Sequence, residues 1–409
     1  MTAGGPRVLL NAQPFGFGPS AAAAVMADEL AGRCGGLGYV GGDHTLDLQH
    51  VPPYAEVHDV TGASEAAALA RLRALAARYD VLLTAMDFTV AGLARRAGLG
   101  VVVYDALAWY WPRIPPVARD AAVLYVAQDF FGVRERLAAD PVLAGRAVVV
   151  PPIIVPGPPW RPGGDYVLVN LGGLHHPLWR RSDAFAYARL AVAAVRAGTP
   201  PDLPVVVAAS GTTARALHGP AGGGAVQGDG GGGTGGCGTG DGEGGGTVVA
   251  DGTTVVGTYG RQEVLRLLRG AAYTCMTPGL GNVYDAAATG VPTVWLPPAN
   301  NTQGLQAVSL ARHGCCDARV DWADLGRPVD YRAPESEVVA RLAAAVREAD
   351  GDGALRARLA GRLAEAAASL GGGPGRARSL ARRFGHGGAR ETADAVVEWA
   401  GRWGDRPPG

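Results

Sequence analysis

Two glycines, Gly279 and Gly281, stand between an apolar run that begins at Tyr273 and an Ala-rich stretch that Gly290 and Pro292 bring to an end. The pattern predicts a strand, a sharp turn at Pro278-Gly279-Leu280-Gly281 and a helix. Glycine lets a backbone approach a ligand closely, and the free N–H groups at the positive end of a helix suit a phosphate. Asp285 follows one turn into that helix, within reach of a neighbouring ribose hydroxyl pair. Thr277 and Asn282 flank the turn, and after a strand from Thr293 to Leu296 come Asn300, Asn301 and Gln303. The chemistry these residues fit is the binding of a nucleoside diphosphate.

Other groups suited to chemistry are spread over both halves. Gly172 and Gly173 follow an apolar run and precede His175 and His176, so backbone N–H groups there can meet a diphosphate while His175 touches phosphate or sugar. Near the N-terminus, Phe15, Gly16, Phe17 and Gly18 alternate aromatics with glycines at the end of a short strand. They read either as a tight turn whose rings plug the core or as a flat slot for a planar or apolar acceptor. Trp109, Tyr110 and Trp111 follow a strand ending near Asp105. Asp87, Asp105 and Asp129 each sit just after a strand, as a helix N-cap or as a general base whose pKa burial would raise. His44 and the His175-His176 pair are further options for the base.

The elements that must position these groups alternate. Strands are expected at Val8–Ala12, Val81–Ala85, Val101–Tyr104, Val123–Ala127 and Ala147–Val150, with helices near Ser20–Ala31 and Ser64–Tyr79. A Pro-rich stretch, 151–164, reads as a semi-rigid linker. The rhythm restarts with strands at Tyr166–Asn170, Val205–Ala209 and Thr254–Val256 and helices near Asp183–Arg196 and Arg261–Arg269. Helices near Glu335–Ala349, Leu355–Leu370 and Arg390–Trp399 close the chain. This predicts an α/β protein with a first domain over 1–150, a second over 165–370, and a helical tail over 371–409. The Gly-dominated tract 219–246 has no apolar periodicity and reads as a disordered insertion in one loop.

Of 409 residues, 48% are hydrophobic and 18% charged, which suits two packed domains. Lys+Arg and Asp+Glu both number 37, so no basic surface argues for nucleic acid or an anionic membrane. No signal peptide and no apolar run of membrane-spanning length is evident, and a cytoplasmic monomer or homodimer is the expectation. The five cysteines lack CxxC spacing and read as free thiols. The one Asp-x-Asp outside the glycine tract, Asp350-Gly351-Asp352, falls between helices, so neither a metal nor any other cofactor is expected.

The order Gly279, Gly281-Asn282, Asp285, Gly290-Val291-Pro292, Pro297, Asn300-Asn301, Gln303 resembles the donor-binding segment of GT-B glycosyltransferases. That resemblance implies two Rossmann-like domains facing across a cleft, with a nucleotide-sugar donor on the second and the acceptor on the first. It implies that Gly172, Gly173, His175, Thr277, Gly279, Leu280, Gly281 and Asn282 surround the diphosphate and sugar, that Asp285 holds ribose, and that Arg261 lies beside the base. It further implies that Asn301 and Gln303 face the sugar, and that Phe15, Gly16, Phe17, Gly18 and Trp109 line the acceptor slot. Three positions depart from the family pattern: Thr277 stands in place of a phosphate-contacting His, Asp285 in place of Glu, and Asn301 in place of Asp. The first loop also lacks the family's base His, leaving Asp87, Asp105 and Asp129 as substitutes.

The first loop, Ala108-Trp109-Tyr110-Trp111, Ala127-Gln128-Asp129-Phe130 and Val169-Asn170-Leu171-Gly172-Gly173 together resemble the cytosylglucuronate synthases of actinobacterial nucleoside-antibiotic pathways. The implied reaction is inverting, metal-independent transfer of glucuronate from UDP-glucuronate to cytosine N1. Rival readings are a non-hydrolysing UDP-sugar 2-epimerase and a non-catalytic nucleotide-binding relative that partners another enzyme.

Overall fold

The computed structural model describes residues 5–49, 53–172, 174–218, 247–248 and 253–404; Gly173 and the tract 219–246 lie outside the described residues. The first half contains β1 (Arg7–Ala12), α1 (Gly18–Leu30), β2 (Gly36–Gly41), β3 (Glu56–Asp59), α2 (Glu65–Ala76), β4 (Val81–Ala85), α3 (Phe88–Arg96), β5 (Gly100–Asp105), β6 (Val123–Gln128), α4 (Val133–Ala139) and β7 (Val148–Val150). Its strands form one parallel sheet in the order β3-β2-β1-β4-β5-β6-β7. Runs such as Val81-Leu82-Leu83 are buried on both faces, which is what a parallel sheet covered by helices on two sides requires.

The second half contains β8 (Val167–Gly172), α5 (Arg181–Gly198), β9 (Val205–Ala209), α6 (Gly211–His218), β10 (Thr247–Val248), β11 (Thr254–Gly257), α7 (Arg261–Gly270), β12 (Tyr273–Met276), α8 (Leu280–Thr289), β13 (Thr293–Trp295), α9 (Asn301–Arg312) and β14 (Ala318–Arg319). Helices α10 (Glu335–Gly351), α11 (Gly353–Ala368), α12 (Arg378–Phe384) and α13 (Gly388–Gly404) complete it. The second sheet runs β10-β11-β9-β8-β12-β13-β14, parallel except for β10, which pairs antiparallel to β11.

The sequence pattern misses β2 and β3 because neither is an apolar run. Their strandhood comes from pairing, Gly38 opposite Glu56, and from close packing: a Cβ on Gly38 would sit 2.2 Å from the Tyr79 hydroxyl. The short helices α6 and α12 are missed for a related reason, since two turns carry too little periodicity to stand out. The 151–164 stretch is docked rather than loose: Trp160 donates from its indole to the Ala271 carbonyl at 2.7 Å and from its backbone to Thr289 at 2.7 Å. At the chain's end α13 packs on α1 and buries Ala389, Ala393, Val396 and Ala400 in the core of the first sheet.

Both sheets change direction of winding at one point, between β1 and β4 in the first and between β8 and β12 in the second. In open α/β sheets ligands bind at the carboxyl ends of strands at such switch points. The loops that leave β1, β4, β8 and β12 all meet in one cleft.

Candidate functional site

That cleft holds a cavity of about 360 Å³. Its second-sheet wall is built by Gly172, His175, Thr277, Gly279, Leu280, Gly281, Asn282 and Asp285, with Thr258, Tyr259 and Arg261 at one end and Asn300, Thr302, Gln303 and Gln306 at the other. The first-sheet wall is Phe15, Gly16, Phe17, Gly18, Met86, Tyr104, Ala106, Leu107 and Gln128. Most residues expected to bind donor and acceptor therefore line one space.

The turn before α8 is braced by side chains. Asn282 donates its amide to the Thr277 carbonyl at 2.9 Å, to the Thr277 hydroxyl at 3.1 Å and to the Asn170 carbonyl at 3.3 Å. Thr277 in turn donates to the Leu171 carbonyl at 3.0 Å, so its hydroxyl proton is committed to holding the loops after β8 and β12 together. Gly172 has φ +58°, a conformation that costs glycine little, and a Cβ there would rest on Asn282 at 3.5 Å. A Cβ on Gly281 would meet nothing within 4 Å, which leaves the first turn of α8 bare towards the cavity. Gly290 ends α8 in the left-handed region, as its place in the sequence predicts.

Asp285 pairs with Arg261 at 3.5 Å, one group projecting from α8 and the other from the start of α7. Burial pushes the Asp285 carboxyl above the usual carboxylate range, and the Arg261 guanidinium opposes that rise. Gln303 accepts the Ala299 N–H on its amide oxygen at 2.8 Å. Asn300 caps α9, its side chain accepting from Gln303 N at 2.9 Å, a role the sequence pattern leaves unassigned.

Three expectations are corrected by geometry. Asn301 does not line this cavity; its amide bonds the Tyr110 hydroxyl across the two halves, in a separate groove. Trp109 packs on Phe130, centroids 5.4 Å apart, and lines that same groove rather than joining Phe15 and Phe17. The three carboxylates are also engaged elsewhere. Asp105 is fully buried and receives Leu107 N at 2.7 Å, the Trp111 indole at 2.9 Å and the Tyr125 hydroxyl at 2.6 Å. Asp129 pairs with Arg134 at 2.7 Å, and Asp87 caps α3 through Val90 N at 2.9 Å. None of the three is in the cavity wall. A loop at a strand end positions a helix cap as readily as a base, and here the cap or the buried knot is what forms.

The imidazoles take different places. His176 is fixed outside the cavity by Glu335 at 3.1 Å and by the Leu178 N–H. His44 donates from Nε2 to the Gly16 carbonyl at 2.7 Å and stacks flat on His175, centroids 4.3 Å apart. Phe17 meets both rings edge-on, and the Gly16 N–H donates to the His175 carbonyl at 2.9 Å, joining the two halves at this end of the cleft. Burial, reinforced by His44 and Arg181 and opposed by Asp47 and Asp43, holds the His175 imidazole below its ordinary range. Among the described residues no group hydrogen-bonds either ring nitrogen of His175, which His44 and Phe17 meet through ring contacts alone. Sequence reasoning names both rings yet cannot bring them together, because 131 positions separate them.

Among the described residues no three His, Cys, Asp or Glu side chains gather as a metal site, and Asp350 and Asp352 are engaged with Arg189 and with the start of α11. No described helix is long and apolar enough to cross a membrane. Cys34, Cys275, Cys315 and Cys316 are free thiols.

No protein-family model and no curated protein matches the chain. Solved structures do. The glycosyltransferase SnogD from Streptomyces nogalater superposes with a TM-score of 0.52 at 16% identity, over 97% of this chain and 99% of that one. Arabidopsis thaliana UGT89C1, complexed with quercetin, superposes at 0.51 and 14% identity over 97% and 99%. Acinetobacter baumannii MurG gives 0.50 and 13% over 96% and 99%. Together with two parallel sheets whose strand-end loops share one cleft, these likenesses identify the architecture as the α/β GT-B fold.

Proposed function

We propose that the protein is an inverting glycosyltransferase that moves a sugar from a UDP-sugar to a small planar acceptor, without a metal. The observation that carries this reading is the bare N-terminal turn of α8, with Gly281 open to the cavity and the Asp285–Arg261 pair one turn further on. Backbone N–H groups there would receive the diphosphate, and Asp285 the ribose. Opposite lies an apolar wall of Phe17, Met86, Ala106 and Leu107 for the acceptor.

In this reading His175 removes the acceptor proton, replacing the three aspartates. The acceptor atom forms its bond to the anomeric carbon as the bond from that carbon to the phosphate oxygen breaks. The proton passes to a ring nitrogen of His175, and the electron pair leaves on the diphosphate at the head of α8. A low proton affinity keeps the imidazole neutral and able to accept at physiological pH. UDP-glucuronate and cytosine are the substrates we assign, with stacking reduced to Phe15 and Phe17 because Trp109 lies in the other groove. Incubation with UDP-glucuronate and cytosine in EDTA, followed by detection of UDP and a cytosine glycoside, tests the reading. UDP release with a phenol but with no pyrimidine keeps the transferase and discards cytosine, and failure to bind UDP discards both.

A further inference from the structure

We infer that His44 is a positioning residue: without reaching either substrate, it holds the His175 ring in the plane that offers a bare ring nitrogen to the acceptor. The inference rests on the transferase reading, in which His175 is the base, and adds the residue that aims it.

His44 belongs to the short turn Asp43–Leu48 of the first half and does not line the cavity, whereas His175 follows β8 of the second half and does. The turn that carries His44 is pinned. Asp43 is one of two non-glycine residues with a positive φ among the described residues, at +53°; the other, Met86 at +67°, lies in the cavity wall. Such backbone is sparsely populated away from glycine and persists where its surroundings hold it. Here the Thr61 hydroxyl accepts the Asp43 N–H at 2.8 Å, and Thr45 donates to the Gly42 carbonyl at 2.7 Å. Gly42 lies so close to Thr61 that a Cβ would stand 3.0 Å from its backbone. This loop carries His44 across to the other half.

A carbonyl only accepts, so the 2.7 Å bond to Gly16 places a proton of His44 on Nε2 and sets the tilt of its ring. Gly16 in turn donates its N–H to the His175 carbonyl at 2.9 Å, which ties the backbone of one imidazole to the side chain of the other. The rings lie 9° from parallel with centroids 4.3 Å apart, while Phe17 meets them edge-on at 5.4 and 5.7 Å. Turning the His175 ring out of this plane would break the stack. Its two nitrogens are neither hydrogen-bonded nor among the buried polar atoms, so the ring keeps a free edge for a proton. A general base must stand within hydrogen-bond reach of the departing proton and in line with it, and a ring left to rotate meets that geometry only part of the time. Burial is the main force against a proton on His175, with His44 and Arg181 adding to it and Asp47 and Asp43 opposing it. Loss of the His44 ring would admit water and remove one of those neighbours, so the proton affinity of His175 would rise.

The test compares variants of the full chain. His44→Phe keeps a flat ring without the N–H, His44→Gln keeps an amide donor for Gly16 without the ring, and His44→Ala keeps neither. In assays of UDP release, His44→Ala and His44→Gln should lower kcat roughly tenfold or more, with KM for the UDP-sugar changed by less than about twofold. In both, the acid limb of kcat/KM should move up towards the ~6.5 of an unperturbed histidine. His44→Phe should recover most of the rate. A purely structural role would lower all three variants in step with their melting midpoints, and a parent-like kcat and acid limb in His44→Ala would leave the ring no role; either result overturns the inference. The Cε1–H resonance of His175, followed by NMR across pH, reads the coupling without turnover. Its midpoint should rise in His44→Ala and rise less in His44→Phe, and an unchanged midpoint in folded His44→Ala also overturns the inference. A raised midpoint in a protein that transfers no sugar counts against the transferase reading and leaves the control of His175 by His44 standing.

Discussion

His175 is the residue on which the proposed chemistry turns, and its surroundings make a pH prediction with a definite sign. A base must be neutral to act, and burial together with His44 and Arg181 disfavours the imidazolium. The kcat/KM for transfer should therefore rise with pH through a value below the ~6.5 of an unperturbed histidine and level off above it. The same depression means that fold stability contributed by the neutral ring is lost as pH falls through that window. His175→Ala should lower turnover by on the order of 10²–10⁴ and remove the acid limb, while UDP affinity stays within about threefold. A variant that retains the limb would exclude His175 as the base. Asp285→Ala should weaken UDP by about 1–3 kcal/mol in titration, because a charge-assisted bond to ribose is lost and Arg261 is left unpaired.

At the scale of elements, α8 and α3 separate structure from function. Gly281 is in the first turn of α8 with open space beside it, so Gly281→Ala should keep or raise the melting midpoint, since alanine favours helix by about 1 kcal/mol over glycine. UDP affinity should nonetheless fall, because the methyl enters the space a diphosphate would occupy. Unaltered UDP binding in that variant would move the donor away from this turn. Asp87 gives the opposite outcome. As the cap of α3 its replacement by alanine should cost about 1 kcal/mol of stability by denaturant titration and leave turnover per folded molecule close to the parent value. A thousandfold loss of turnover with unchanged stability would restore Asp87 as a base.

The two halves are held together at both ends of the cleft and by the returning last helix. At one end His44 stacks on His175; at the other Asn301 bonds Tyr110 and Phe131 stacks on His313, centroids 3.7 Å apart. Helix α13 adds Ala389, Ala393, Val396 and Ala400 to the first core, although it follows the second sheet in the chain. Removing the residues from Gly388 onward should cost roughly 4 kcal/mol through lost apolar burial, and the first half should unfold first. Thermal unfolding followed by tryptophan fluorescence, with and without UDP, would show whether the second half keeps its UDP stabilisation in the shortened chain. A melting curve identical to that of the full chain would show that α13 contributes nothing to the first core.

By itself the sequence determined the elements whose signal is local. Apolar runs such as Val81–Ala85 and Val205–Ala209 are strands where expected, and the glycines and proline around α8 set both its ends, because backbone conformation and helix termination are decided within a few residues. The resemblance to a GT-B donor segment grouped Gly172, Gly281, Asp285 and Gln303, and all four line one cavity. What only the tertiary structure decided is which side chains face that site and which are already spent. Asp105 reads as a strand-end carboxylate and turns out to be buried under three donors from its own half. Trp109 and Asn301 sit at the predicted strand end and helix start, yet point into a neighbouring groove. His44 and His175 acquire meaning only where the two halves bring their rings face to face. Hydrogen bonds and ring contacts between distant segments depend on register and side-chain direction across the fold, and no periodicity along the chain encodes them.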